Sequence, residues 1–220
     1  MRKIINQVAL VLVISAGLFA CSKEDTGVVL VNTDNVVNDL RADTIIGKDL
    51  ITGMPVSAGK YTFYSLERNE IVANSDSASA KWDVAFAGTT ILTNSGTSYS
   101  NGIGGGFVYK GVLYDTLSKV PADSVFRTDN ASASPKIYAI TTGNTKGWYN
   151  YDFATSLVTP LAGRVLVVKT ASGKYAKLEI LNYYKGGVTP ISGTEEEKLA
   201  KQRYYKFRYK FQPNGTKTFQ

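Results

Sequence analysis

The stretch Lys206-Phe207-Arg208-Tyr209-Lys210-Phe211 alternates a cation with an aromatic ring at every step. Successive side chains of an extended chain point to opposite faces, so this pattern buries one face and solvates the other only as a β-strand; a helix would scatter the rings around its axis. Runs of the same kind recur between turn residues at Tyr61 to Leu66, Trp82 to Ala87, Phe107 to Tyr109 and Lys136 to Thr141, with Trp82, Val84 and Phe86 expected on one face. Arg164 to Thr170 and Lys174 to Leu181 flank Ala171-Ser172-Gly173, a three-residue connection whose glycine suits a left-handed backbone, which predicts a hairpin. One helix is expected over Thr194 to Gln202. Thr194 can cap it, Glu195, Glu196 and Glu197 sit near its positive end, and Lys198 and Lys201 come later. The fold class that follows is all-β with one short helix, and no internal repeat is visible.

The two ends of the chain read differently. Arg2 and Lys3, the apolar run Val8 to Leu18, and Leu18-Phe19-Ala20-Cys21 form an export signal that closes in a lipobox, so residues 1–21 are expected to be a lipoprotein signal peptide with Cys21 lipidated. The run is too short to span a bilayer, and a diacylglycerol on the thiol would anchor the chain instead. Residues 22–44 mix Asp, Asn, Thr and Val around no clear period and read as a flexible tether. Residues 45–220 are left as a single β domain.

Composition excludes much chemistry. The 220 residues contain no histidine, which removes Ser-His-Asp and Cys-His arrangements, histidine-bearing zinc motifs and any imidazole base. Asp83, Asp115, Asp123, Asp129 and Asp152 are dispersed without a common spacing, and Glu195 to Glu197 form a solvated run. Asn101-Gly-Ile-Gly-Gly-Gly106 lacks the Gly-Lys-Ser/Thr of a phosphate loop and the dinucleotide spacing, so it reads as a β turn or bulge. No enzyme is signalled. Removing residues 1–21 takes Arg2 and Lys3 away and leaves 23 basic against 18 acidic side chains, a formal +5 that is scattered rather than blocked. A solvated basic strand face accounts for Lys206, Arg208 and Lys210 better than a nucleic-acid groove does.

Lys81-Trp82-Asp83-Val84-Ala85-Phe86, Thr93-Asn94-Ser95-Gly96, the glycines from Gly102 to Gly106, Gly147-Trp148, Val167 to Lys177 with its Ser-Gly-Lys-Tyr-Ala-Lys turn, and Tyr183-Tyr184 follow one another in order. Together these segments resemble the HmuY-like family, haem-capturing surface lipoproteins of Bacteroidetes-type bacteria. The resemblance covers about residues 60 to 212. It implies a one-domain, cupped-hand β fold that holds haem in a cleft and passes it to an outer-membrane, TonB-dependent receptor. Ser22-Lys23-Glu24-Asp25 is similar to the acidic tag that sends such lipoproteins to the cell surface, so the expected location is the outer membrane, lipid-anchored and exposed. Members of the family hold haem iron through two axial side chains, usually histidines and in some relatives methionines. Here the family's spacing puts Phe153 where one ligand belongs, and the stretch Ala131 to Tyr138 that matches the other ligand's loop holds neither residue type. Beyond the signal, Met54 is the one thioether, away from both ligand regions.

The aromatic segment Gly147-Trp148-Tyr149-Asn150-Tyr151-Asp152-Phe153 falls on the family's ligand-bearing wall. Alternation places Trp148 with Asn150 on one face and Tyr149, Tyr151 and Phe153 on the other, and such a ladder on composition alone is core packing. By position it lines a cleft: Tyr138, Trp148, Tyr149, Tyr151 and Phe153 are the expected ligand-binding residues, stacking on haem or another flat molecule. Tyr149 and Tyr151, with Tyr138, are also the candidates for direct ligation of ferric iron by phenolate, which needs a neighbouring cation such as Lys136 or Lys146. The alternative is a binding module for a different planar or apolar ligand, a glycan or a protein partner on the same fold.

Overall fold

A computed structural model describes residues 34–53, 55–99 and 101–219. The expected signal peptide, Cys21, the acidic tag and Met54 lie outside the described residues. Among the described residues thirteen strands run in chain order: β1 (Asn35–Arg41), β2 (Ile45–Lys48), β3 (Pro55–Ser57), β4 (Thr62–Ser65), β5 (Glu70–Val72), β6 (Val84–Ala87), β7 (Thr90–Thr93), β8 (Gly105–Lys110), β9 (Tyr149–Asp152), β10 (Leu157–Pro160), β11 (Arg164–Lys169), β12 (Tyr175–Tyr184) and β13 (Gln202–Gln212). One α-helix, α1 (Glu195–Lys201), precedes β13. Among the described residues the protein is all-β with a single short α-helix, as the alternation requires.

Two sheets carry the fold. A five-stranded antiparallel sheet has the order β1-β13-β12-β11-β8, a four-stranded sheet has the order β5-β4-β6-β7, and β2-β3 and β9-β10 form separate two-stranded ribbons. The main core lies between the sheets. Tyr64, Val84, Phe86 and Ile91 of the smaller sheet pack on Leu166, Val168, Leu178, Phe207 and Tyr209 of the larger, and the Phe86 and Phe207 rings stack with centroids 5.4 Å apart. The opposite face of the larger sheet is covered too, because Val165, Val167 and Tyr175 pack under Tyr114, Leu117, Val120 and Phe219. Burial on both faces is why β11 reads as the continuous apolar run Val165 to Val168 instead of alternating.

The hairpin over Ala171–Gly173 forms as expected, with Leu166 opposite Leu178 and Lys169 opposite Tyr175 and Gly173 at φ +80°. The helix is capped at Thr194, whose side chain accepts the Glu197 N–H while the Glu197 carboxylate accepts the Thr194 N–H, a reciprocal capping box. The solvated basic face is instead half-buried and partnered at its centre: Arg208 lies 2.7 Å from Glu179 and 3.0 Å from Asp115 and covers the Tyr114 ring at 4.2 Å.

Three expectations require correction. The tether does not reach residue 44, because Asn35–Arg41 is a strand hydrogen-bonded to β13, with Val37 opposite Phe207 and Leu40 opposite Tyr205. Trp82 does not share a face with Val84 and Phe86: it precedes β6 and packs with Phe63, Val72 and Ala85, while its Nε1 donates to the Ser77 carbonyl at 2.8 Å. Lys136 to Thr141 is not a strand. Only an isolated bridge joins Asn130 to Ile137, and the backbone just beyond is held by a side chain, the Asp129 carboxylate accepting the Ala139 N–H at 2.8 Å. The glycines around 101–106 permit close approach of backbones, since a Cβ at Gly102 would sit 2.2 Å from the Asn94 carbonyl oxygen.

Candidate functional site

The β9-β10 ribbon pairs Tyr149 with Pro160 and Tyr151 with Val158 and is fastened at several points. The Asn144 side chain takes both main-chain groups of Tyr151, accepting its N–H at 2.7 Å and donating to its carbonyl at 3.1 Å. The Tyr184 hydroxyl accepts the Val158 N–H at 2.8 Å, and Lys198 of α1 donates to the Thr155 carbonyl at 3.1 Å. Tyr184→Phe is expected to cost about 1–3 kcal/mol in urea unfolding, because the buried Val158 N–H loses its acceptor while the ring stays in place. A loss under about 0.5 kcal/mol would show that this bond does not hold the ribbon.

Beside the ribbon lies a cavity of about 640 Å³, within the range of sites that take small molecules and cofactors. Tyr149, Tyr151 and Val158 form one wall, Ala87 to Thr90 the turn at another, and Lys48, Gly53 and Pro55 of the β2-β3 ribbon a third. Glu195 and Leu199 of α1 close it, with Tyr183, Gln202 and Arg203 beneath. The Tyr149 hydroxyl lies 3.4 Å from Thr89 Oγ1, which donates to it. Arg203 has a left-handed backbone, φ +69°, and its Nη1 donates to Ser57 Oγ at 2.9 Å with Asp43 at 3.7 Å. The Tyr183 phenol is pushed up by burial, an effect that the neighbouring Arg203 opposes only in part. Hydrogen bonds from Lys198 and Ser156 hold the exposed Glu195 carboxyl below the usual range, so it stands ionised at the rim.

Of the five expected ligand-binding residues, two line this cavity. Tyr149 and Tyr151 do so together because, two residues apart on β9, they share one face of the strand. Trp148 is 1% exposed and sealed in the core, its Nε1 bonded to the Thr89 carbonyl at 3.0 Å and its ring against Tyr183 and Tyr205. Phe153 is 79% exposed because β9 ends at Asp152 and the chain turns; its ring stands nearly perpendicular to that of Tyr151, with centroids 4.9 Å apart. Tyr138 lies elsewhere, lining a hollow of about 210 Å³ with Tyr61, Asp129 and Lys136. Lys146 faces a third depression with Phe107 and Arg127. The cation beside the cavity tyrosines is therefore Arg203, with Lys48 also in the lining. Tyr183, from the Tyr183-Tyr184 pair that resembles the family, joins the site without being among the expected ligand-binding residues, and nothing in the sequence marks Arg203, whose placement depends on its backbone angle.

The lining suits part of a haem. Of the side chains that ligate haem iron, His, Met, Cys and Tyr, only tyrosines among the described residues line the cavity, and the most deeply buried of them, Tyr183, is held protonated. Flat apolar walls and two cations fit a macrocycle and its carboxylates. Among the described residues an axial anchor could come only from a phenol oxygen. Among the described residues no group of three or more His, Cys, Asp or Glu could hold a metal ion, and no helix is long and apolar enough to cross a membrane.

Comparison with known proteins gives one match by sequence and several by shape. A sequence model described as HmuY protein matches residues 57–195. No curated protein matches the sequence. The crystal structure of an apo HmuY analogue from Tannerella forsythia is 16% identical, with a TM-score of 0.42 over 82% of this chain and 95% of its own. That of apo PinO from Porphyromonas gingivitis is 18% identical, with a TM-score of 0.39 over 80% of this chain and 97% of its own.

Proposed function

The chain belongs to the HmuY family, and from that premise we propose that it is a surface-anchored binding protein whose cavity takes haem or a related porphyrin, held by ring contacts and carboxylate pairing rather than by imidazole. The observation that carries this reading is the placement of Tyr149 and Tyr151, from the segment that resembles the family's ligand wall, in one cavity with Arg203 and Lys48. The tyrosine rings would cover the macrocycle, each face adding about 0.5–1.5 kcal/mol beyond its area. Arg203 and Lys48 would pair with its propionates, the guanidinium being the better fit to a carboxylate because it can donate two parallel bonds. Haem bound here would supply the iron, and the residues described would supply its bed. Lipidation at Cys21 would tether the domain to the outer membrane, and the cargo would go to a TonB-dependent receptor.

Titration with hemin and with metal-free protoporphyrin, followed in the Soret band, tests the reading. Both should bind saturably with dissociation constants within about fivefold of each other, because shape and carboxylates do the holding. Tyr151→Ala should weaken both about tenfold or more, about 1.4 kcal/mol, and Tyr151→Phe should change little. Hemin binding that far exceeds protoporphyrin binding and is lost in Tyr149→Phe or Tyr151→Phe, together with a high-spin ferric spectrum, would replace stacking by phenolate ligation. Absence of saturation with either porphyrin would overturn the haem reading and leave the alternative, a module for another flat or apolar ligand, a glycan or a protein.

A further inference from the structure

The far margin of the larger sheet, at β8, is open and carries cations without carboxylate partners. Gly106 exchanges both its main-chain hydrogen bonds with Arg127, at 3.0 Å each. Neighbouring residues of an antiparallel strand direct their N–H and C=O groups to opposite sides in turn. Gly106 therefore faces away from β11, and so do Val108 and Lys110, where the Arg127 segment no longer follows. Beside them is a depression of about 510 Å³ lined by Phe107, Val108, Lys110, Val125, Arg127, Thr141 and Lys146. Arg164 sits directly opposite Lys110 across the β8-β11 pair, and its Nε is buried without a hydrogen-bond partner. Like charges in such register repel. Among the described residues none of Lys110, Arg127, Lys146 and Arg164 makes an ion pair, whereas eight ion pairs form elsewhere.

We propose that this margin docks an extended, acidic peptide segment of a partner protein, which adds as a strand to β8. The main chain of the segment would take the N–H and C=O groups of Val108 and Lys110. Carboxylates at every second position would lie over Lys110, Lys146 and Arg127, on the face of β8 that carries Val108, while an apolar side chain between them would turn to the other face and enter the depression on Phe107 and Val125. Strand addition draws affinity from main-chain bonds and specificity from alternate side chains. Lysines also guard free sheet edges against self-association, and that role fits the same occupant: they repel a second copy of this basic edge and admit only a strand of opposite charge. The depression shares no lining residue with the cavity beside β9, so the two sites stand or fall separately.

The test uses a fluorescent, end-blocked peptide of alternating glutamate and valine, its lysine-for-glutamate counterpart, and a glutamate-proline peptide of equal charge that cannot form a strand. The glutamate-valine peptide should bind saturably at low salt, at least tenfold tighter than either control. Val108→Pro, which removes an outward N–H for which no acceptor stands among the described residues, should weaken it at least tenfold, and Lys110→Glu with Lys146→Glu should abolish it. In the wild-type protein the Val108 and Lys110 amides should gain protection from hydrogen exchange on adding that peptide alone; this measurement decides the matter should a variant fail to fold. Equal binding of the glutamate-proline peptide, unchanged binding to a folded Val108→Pro variant, or exchange protection absent at those two amides would overturn the proposal.

Discussion

Replacing Asp83 with alanine is expected to lower the free energy of unfolding by about 3–5 kcal/mol. The Asp83 carboxylate accepts the N–H of Leu66 at 2.7 Å, of Ala171 at 2.9 Å and of Glu67 at 3.4 Å, and thereby ties the turn after β4 to the β11-β12 hairpin of the other sheet. Each donor left unpaired in the interior costs about 1–3 kcal/mol, and here two strong bonds and one weak one go together. For a domain of this size the melting temperature should fall by about 10 °C, at about 2–4 °C per kcal/mol. A fall under 3 °C would mean that the Asp83 carboxylate adds little to the joining of the two sheets. The pH dependence has a definite sign. Burial raises the Asp83 carboxyl above its ordinary value, against the hydrogen bonds from Ala171, Leu66 and Glu67, so in the window just above the unfolded value the native state holds more protons than the unfolded chain. Its contribution to stability is full below that window and is lost as pH rises through the folded value. The advantage of the wild type over Asp83→Asn should accordingly shrink between acid and neutral pH.

A comparable loss, about 3–5 kcal/mol or failure to fold, is expected for Gly96→Ala. Gly96 has φ +54°, and a Cβ there would lie 2.0 Å from the Asp129 carbonyl oxygen, a backbone atom that cannot swing aside. A left-handed conformation costs an L-residue about 1–2 kcal/mol, and forcing the backbones apart adds about 1–3 kcal/mol. Moving Asp129 disturbs more than one contact. That carbonyl accepts the Thr97 N–H at 2.9 Å, and the Asp129 carboxylate accepts the N–H groups of Thr93 and Ala139, each at 2.8 Å. Circular dichroism melting reads the effect, and a variant within 1 kcal/mol of the wild type would show that the 93–98 segment yields easily.

Why some elements could be read in the sequence and others not follows from what decides each one. Arg164 to Lys169, Tyr175 to Tyr184 and the Gly173 turn specify their own pairing, because turn chemistry and apolar pattern agree. The strand Asn35–Arg41 has Asn35, Asn38 and Asp39 among its seven residues and becomes a strand through its partner, the ring-bearing β13; such dependence leaves no local trace. In the site, alternation correctly set Tyr149 and Tyr151 together and apart from Trp148. It failed at Phe153, where the strand stops one residue short, and at Tyr138, where a buried carboxylate rather than a ladder fixes the backbone. Arg203 was invisible because a positive φ in a non-glycine residue is imposed by tertiary contacts.

The pairing of β1 with β13 also settles where the folded unit may safely begin. Composition would have a chain trimmed to residue 45. Such a chain would strip the hem from an eleven-residue strand that carries rings at Tyr204, Tyr205, Phe207, Tyr209 and Phe211, and a bare selvage of that kind invites any extended neighbour to stitch onto it. The seven residues of β1, three of them Asn or Asp, are what keeps one copy from being sewn to the next.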